Sequence, residues 1–393
     1  MFKLSKRIFT SLLLLTVLAG SVKVQAEPVV EDTQANSTVL EHNMLDTEKD
    51  IDKDLDYYEI VFEKDVKELT YPVEVTKQGV LLMTLKDTDP NYISLSAQLY
   101  EDEGLTKKIG GTIYLSSGEE NDFDVAEIKK SGTYYMKFDL SRKYDYNEQL
   151  KFLVELDLVP GGIREIKKDI TYLAYQDYDT SENLYKINVY KTGLVTLNIG
   201  FSSENGEYGQ SARVTLLNSK KKAISEQVGL YSEKNEDGTY NNELYQFYAL
   251  TKGTYYIKID TSGGLHALNY TISNVADKSG ASLSKAAGIK VGGSAVSGIC
   301  TNSDKTTKVD WYKITLKNDK VVTFNINSKI DGKLKVEICD SKGDTVWYGS
   351  FYLYEGAESG EIQSDGKWGK GTYYIKVYKT DAKSSGYYSI KVK

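Results

Sequence analysis

One short phrase recurs three times and restricts the fold more than any other feature of the chain. It reads Gly132-Thr133-Tyr134-Tyr135-Met136-Lys137-Phe138, then Gly253-Thr254-Tyr255-Tyr256-Ile257-Lys258-Ile259, then Gly371-Thr372-Tyr373-Tyr374-Ile375-Lys376-Val377. In an extended strand, successive side chains point to opposite faces. Each copy therefore places one Tyr and two apolar side chains on one face, and a second Tyr and a Lys on the other. An apolar and a polar face, repeated in this way, predicts antiparallel sheets buried on one side. The Gly ahead of each copy suits a turn that requires positive φ.

A second recurrence precedes the first. Tyr71, Tyr185 and Tyr312 each open an apolar-alternating stretch that closes at Leu85, Ile199 and Ile326. Midway stand Lys77-Gln78-Gly79, Lys191-Thr192-Gly193 and Lys317-Asn318-Asp319. Two strands around a short turn read as a hairpin. Each unit ends in a further strand, beginning at Phe152, Tyr270 and Tyr388, and Leu55–Phe62 reads as an added strand of the first unit. No segment carries a sustained helical period with caps. The expectation is an all-β chain of three tandem antiparallel β-sandwich domains, at residues 51–160, 161–276 and 277–393.

Ahead of these modules, residues 1–26 read as a cleaved secretory signal peptide. Lys3, Lys6 and Arg7 form the basic start, Leu12–Leu18 the apolar run, and Val24-Gln25-Ala26 the cut. That run is shorter than the roughly 20 residues a bilayer crossing needs, so membrane insertion is not expected. Residues 27–50 read as an acidic disordered arm. Residues 27–65 hold thirteen acids against three bases, while the whole chain is −7. The body beyond the arm is thus nearly neutral, which argues against nucleic acid as a partner.

The inventory for catalysis is thin. Of the two histidines, His42 falls in the acidic arm and His266 in a stretch that reads as a loop. No nucleophile elbow, HExxH or phosphate loop is present. The acids Glu119, Glu120, Asp122 and Asp124 read as solvated loop residues rather than a glycosidase pair. Cys300 and Cys339 are the two cysteines. A disulfide between them would close a loop of about 40 residues, worth roughly 4 kcal/mol. Two unpaired thiols is the other reading.

The richest candidate binding surface is Val346–Tyr354. As a strand it would set Trp347, Phe351 and Leu353 toward the core and Tyr348, Tyr352 and Tyr354 outward, with Trp368 joining from a neighbouring loop. Outward Tyr offers flat amphipathic area at low entropic cost. Cross-strand pairing within the sheet is the plainer role for the same residues.

The last unit resembles a known family. Ser297-Gly298-Ile299, Val309-Asp310-Trp311-Tyr312-Lys313-Ile314, the Gly371–Val377 phrase and Tyr387-Tyr388-Ser389-Ile390 are similar to the bacterial pre-peptidase C-terminal domain. They also resemble the collagen-binding modules of clostridial collagenases. The resemblance implies a jelly-roll-like sandwich that accompanies secreted hydrolases and aids secretion, attachment or stability. Some relatives bind calcium through acids before the Asp-Trp-Tyr strand, which would make Asp304 and Asp310 the calcium candidates here. Lys305 and Lys308 interrupt that stretch. The expected function is a secreted, non-catalytic binding or accessory protein that attaches to extracellular polysaccharide, cell wall or protein. The alternatives are a structural spacer or subunit of a separately encoded secreted hydrolase, and a carboxylate-based hydrolase.

Overall fold

The computed structural model describes residues 22–23, 57–87, 92–118, 121–142, 148–160, 162–176, 183–201, 209–235, 240–261 and 264–393. The signal-peptide and acidic-arm expectations fall outside these residues, except for Val22 and Lys23. So do His42, Glu119 and Glu120.

The chain is all-β. The first module holds β1 (Val22–Lys23), β2 (Tyr57–Phe62), β3 (Glu68–Val75), β4 (Gly79–Asp87), β5 (Tyr92–Tyr100), β6 (Lys108–Ser116), β7 (Asn121–Ile128), β8 (Gly132–Arg142) and β9 (Leu150–Pro160). They form two sheets, β2-β9-β4-β7 and β1-β3-β8-β5-β6. The segment ending at Phe62 is thus a sheet strand. In chain order from β2, the eight main strands occupy the two-sheet arrangement of a jelly roll.

The second module repeats this with β10 (Ile163–Glu165), β11 (Tyr172–Gln176), β12 (Asn183–Val189), β13 (Gly193–Phe201), β14 (Ser211–Leu217), β15 (Val228–Tyr231), β16 (Glu243–Leu250), β17 (Gly253–Thr261) and β18 (Gly264–Ser273). Its sheets are β11-β18-β13-β16 and β10-β12-β17-β14-β15. The third holds β19 (Ala287–Gly288), β20 (Val296–Cys300), β21 (Asp310–Leu316), β22 (Lys320–Asp331), β23 (Leu334–Cys339), β24 (Thr345–Leu353), β25 (Gly356–Trp368), β26 (Gly371–Lys379) and β27 (Ser385–Val392). Its sheets are β20-β27-β22-β25 and β19-β21-β26-β23-β24. The short edge strands β10 and β19 pair in parallel, an exception to the antiparallel rule.

This topology corrects the hairpin reading. The strands flanking Lys77–Gly79, Lys191–Gly193 and Lys317–Asp319 lie in different sheets, so each turn is an arch over the sandwich rim. Alternation identifies the face a strand buries. It does not identify the strand beside it, and two strands facing one core from opposite sides read the same as two neighbours.

The recurring Gly-Thr-Tyr-Tyr phrase opens β8, β17 and β26, each flanked by two partners in its sheet. Its first Tyr turns back on the preceding loop. Tyr134, Tyr255 and Tyr373 donate their hydroxyls to the carbonyls of Lys130, Thr251 and Gly369 at 2.8, 3.0 and 3.1 Å. At Gly253 the φ is not left-handed, and the constraint on a side chain is room. A Cβ there would stand 3.3 Å from the Tyr255 ring.

Each sandwich buries its own apolar cluster. Met83, Phe138 and Phe152 anchor the first, Leu197, Tyr248 and Ile257 the second, and Tyr312, Phe324 and Ile375 the third. The described chain divides into two compact units at Gly162/Ile163. The second unit contains both later sandwiches, joined by β16 lying against β22 and β27. That junction buries Phe247, with Lys329 over its ring at 5.1 Å, and is crossed by hydrogen bonds. The Ala249 N–H donates to Ser385 Oγ at 3.1 Å, the Asn302 N–H to the Ala249 carbonyl at 2.9 Å, and Gln246 Nε2 to Asp331 Oδ1 at 3.0 Å.

Candidate functional site

The outward face of the five-stranded sheet in the third sandwich gathers most of the features a binding surface needs. Strand alternation turns Tyr312 and Ile314 inward and Trp311 outward. On β26 it turns Ile375 and Val377 inward and Tyr374, Lys376 and Tyr378 outward. Register then aligns Trp311 with Lys376, Lys376 with Glu337, and Tyr378 and Tyr352 with Lys335 from either side. The Lys376 ammonium lies 5.4 Å from the Trp311 ring centre, and Tyr374 meets Trp311 edge-on at 6.4 Å. Glu337 bridges Lys335 at 2.8 Å and Lys376 at 3.3 Å. The result is an aromatic strip interleaved with paired charges, able to stack on a flat ligand and hydrogen-bond its rim.

The strip continues to Tyr352 and Tyr354, which are 39 % and 55 % exposed. Their ring centres are 6.0 Å apart at 39°. Lys333 covers Tyr352 at 5.6 Å. Leu353 between them is buried and Phe351 packs against the core, as alternation predicts. The side chains of Trp347 and Tyr348 lie outside what is described, so the Tyr348 assignment has no structural counterpart.

Trp368 does not join this surface. It ends β25 in the opposite sheet, packed on Phe324 at 5.9 Å and Tyr373 at 4.8 Å. Twelve strand steps separate it from the start of β25, about 40 Å of rise. The sequence places it in a loop because Asp365-Gly366 and Gly369 around it look like turn residues, whereas β25 runs straight through Asp365-Gly366.

Beside Trp311 opens a pocket of about 440 Å³ lined by Asp277, Ser282, Leu283, Lys308 and Asp310. Of the two calcium candidates, Asp310 lines it and Asp304 does not. Lys308 Nζ lies 3.1 Å from Asp304, 3.6 Å from Asp310 and 3.7 Å from Asp277. Burial alone would lower the lysine, but Asp310 and Asp304 overturn that and hold it above its ordinary value. Asp304 also accepts the Thr301 N–H at 2.7 Å. The ammonium stands where a cation would sit, so these residues do not fit calcium. Among the described residues no cluster of three or more His, Cys, Asp or Glu side chains has metal-binding geometry.

Asp310 is 1 % exposed and belongs more to the core than to the pocket. Tyr388 donates its hydroxyl to Asp310 Oδ2 at 2.7 Å, and the Tyr312 and Tyr388 hydroxyls are 3.0 Å apart. Burial pushes the Asp310 carboxyl up, while Lys308 and Tyr388 pull it back. Gly298 makes room for this pair, since a Cβ there would collide with both hydroxyls. Sequence reasoning missed the network. Its one signal was the Asp-Trp-Tyr order itself, which places an acid on the buried face.

Cys300 and Cys339 are both buried free thiols on different sheets. Cys300 Sγ faces Asp310 at 3.6 Å, and burial raises both thiols above their ordinary value. No disulfide joins them.

His266 is not in a loop. It lies within β18, 1 % exposed, with Nδ1 3.4 Å from the Gly264 carbonyl and no partner for Nε2. Burial lowers it to about 4. Asp122 and Asp124 lie in β7 rather than a loop. Asp122 accepts the Tyr114 N–H at 3.2 Å and Asp124 that of Val125 at 2.7 Å.

The fold defines a tandem jelly-roll protein. No family model and no curated protein matches the chain. Among solved structures it is similar to the PBSX exported protein XepA, at 8 % identity over 66 % of this chain and 88 % of that one, TM-score 0.20. It is similar to a triple jelly roll from the turret assembly of an archaeal virus, at 9 % identity over 86 % and 89 %, TM-score 0.22. A third is the Clostridium perfringens ZmpB structure comprising the M60 catalytic domain with CBM51-1 and CBM51-2, at 10 % identity over 83 % and 34 %, TM-score 0.18. Scores this low carry no inference about function.

Proposed function

We propose that the chain is a secreted, non-catalytic binding protein that holds an extracellular polymer against the outward sheet face of its third sandwich. The observation that carries the reading is the strip from Tyr374 and Trp311 through Lys376, Glu337 and Lys335 to Tyr352 and Tyr354. A core-facing pattern does not require outward aromatics, and the exposed pair adds nothing to the sandwich interior. Flat rings beside paired charges suit sugar rings or an extended polypeptide. The neutral body fits neither nucleic acid nor a strongly charged partner.

The test is retention of the full secreted protein on insoluble polysaccharide, bacterial cell wall and collagen. The expected result is retention on one of these and its loss in a Tyr352→Ala/Tyr354→Ala variant that melts normally. Equal retention of variant and wild type, or none of either, overturns the reading.

A further inference from the structure

Asp331 is a carboxyl placed where charge is costly. It ends β22 at the junction with the second sandwich and is 2 % exposed. Its partner across the junction is Gln246, itself 1 % exposed, whose Nε2 donates to Oδ1 at 3.0 Å. Beside it in register is Ser385, which receives the Ala249 N–H from the second sandwich.

The lysines nearby are engaged elsewhere. Lys329 lies over the Phe247 ring at 5.1 Å and Lys383 pairs with Glu226 at 3.0 Å. Lys379, 1 % exposed, donates to the carbonyls of Thr301, Asn302, Ala382 and Ser384 at 3.2–3.3 Å. The titratable groups that bear on Asp331 are Glu355 after β24, Asp381 between β26 and β27, Glu226 between β14 and β15, and Tyr248 on β16. None of them is a cation. Burial, and then the Glu355 charge, push the Asp331 carboxyl up to about 8.

We propose that Asp331 and Gln246 form a proton-controlled latch between the second and third sandwiches, docked while Asp331 is protonated and released when it ionises. Interfaces between domains of one chain commonly permit relative motion. A buried carboxylate without a cation is strongly unfavourable there. Once the junction opens, water solvates the group and its affinity for the proton falls toward that of an ordinary Asp, about 3.9. The docked state therefore binds the proton more tightly than the open state. Docking is fully favoured below about pH 4 and is lost as pH rises to about 8. Between pH 7 and pH 9 the docking equilibrium weakens about tenfold by this linkage.

The reporters are the Ala249 and Asn302 amides, whose hydrogen bonds cross or border the junction. Their hydrogen exchange is measured on the full chain at pH 7 and pH 9, corrected for the chemical exchange rate. The central strands β17 and β26 serve as internal controls. Protection of both reporters should fall about tenfold in the wild type while the controls hold. Asp331→Asn keeps an oxygen acceptor for Gln246 and carries no charge, so its protection should be the same at both pH values. A wild-type profile that does not fall overturns the latch whatever the variant does. The same fall in Asp331→Asn, with its controls still protected, overturns it too.

Discussion

The second and third sandwiches share one topology, one recurring strand phrase and equivalent core positions, yet they differ at one buried site in a way that separates their chemistry. Ile199 pairs with Leu268 in one and Ile326 with Ile390 in the other. Two residues earlier along the last strand stand His266 and Tyr388, both at most 1 % exposed. The first sandwich has Phe152 at the same place, opposite Asp87. Tyr388 is tied to Asp310 and Tyr312, whereas His266 Nε2 has no partner. At the start of a strand in the facing sheet the third sandwich has Asp310, where the second has Asn183 donating to the Tyr175 carbonyl at 3.1 Å. The repeat therefore keeps the apolar inward positions and lets the buried polar ones diverge. Outward positions diverge most. Trp311 aligns with Lys376, while Leu184 aligns with Lys258.

The largest effect tests the shared part. Ile257→Ala and Ile375→Ala remove equivalent, fully buried side chains. Each should cost its own sandwich about 2–5 kcal/mol in urea unfolding. A change near zero in one of them would break the equivalence of the two cores.

His266 sharpens the contrast through pH. Its folded value, about 4, lies below the unfolded value near 6.5, so the unfolded chain binds the proton more tightly. Stability is fully present above pH 6.5 and is lost as pH falls toward 4, by about 3 kcal/mol in all. His266→Phe should abolish that part of the acid loss, read as a smaller drop in melting temperature between pH 7 and pH 4.5. An identical drop in both proteins would show that His266 titrates freely. Tyr388→Phe is smaller, about 1–3 kcal/mol, because it leaves the buried Asp310 short of a donor. Tyr354→Ala should stay within about 0.5 kcal/mol, since the side chain is half exposed and supports no core contact.

Much of this architecture was legible in the chain. Alternation along Gly371–Val377 names the buried and outward residues correctly, and the three copies reveal three units. The strand neighbours were not legible, because an arch and a hairpin carry the same alternation. The site was only partly so. Tyr352 and Tyr354 follow from parity, but Trp311 and Tyr374 meet only through cross-strand register, which one strand's sequence does not contain. Asp331 reads as an ordinary turn acid in Ile330-Asp331-Gly332, and its burial beside Gln246 of the second sandwich depends on contacts its own segment does not contain. His266 was misread because the glycines before it look like a loop, whereas Gly264 begins a strand with φ of 83°.

The central claim is that binding belongs to the outward face of the third sandwich. The most direct test is an equilibrium binding isotherm on whichever polymer retains the protein, for wild type and Trp311→Ala/Tyr352→Ala. The account predicts affinity at least about tenfold weaker with an unchanged urea midpoint, the scale expected when aromatic anchors of a contact are removed. Superimposable isotherms would contradict it.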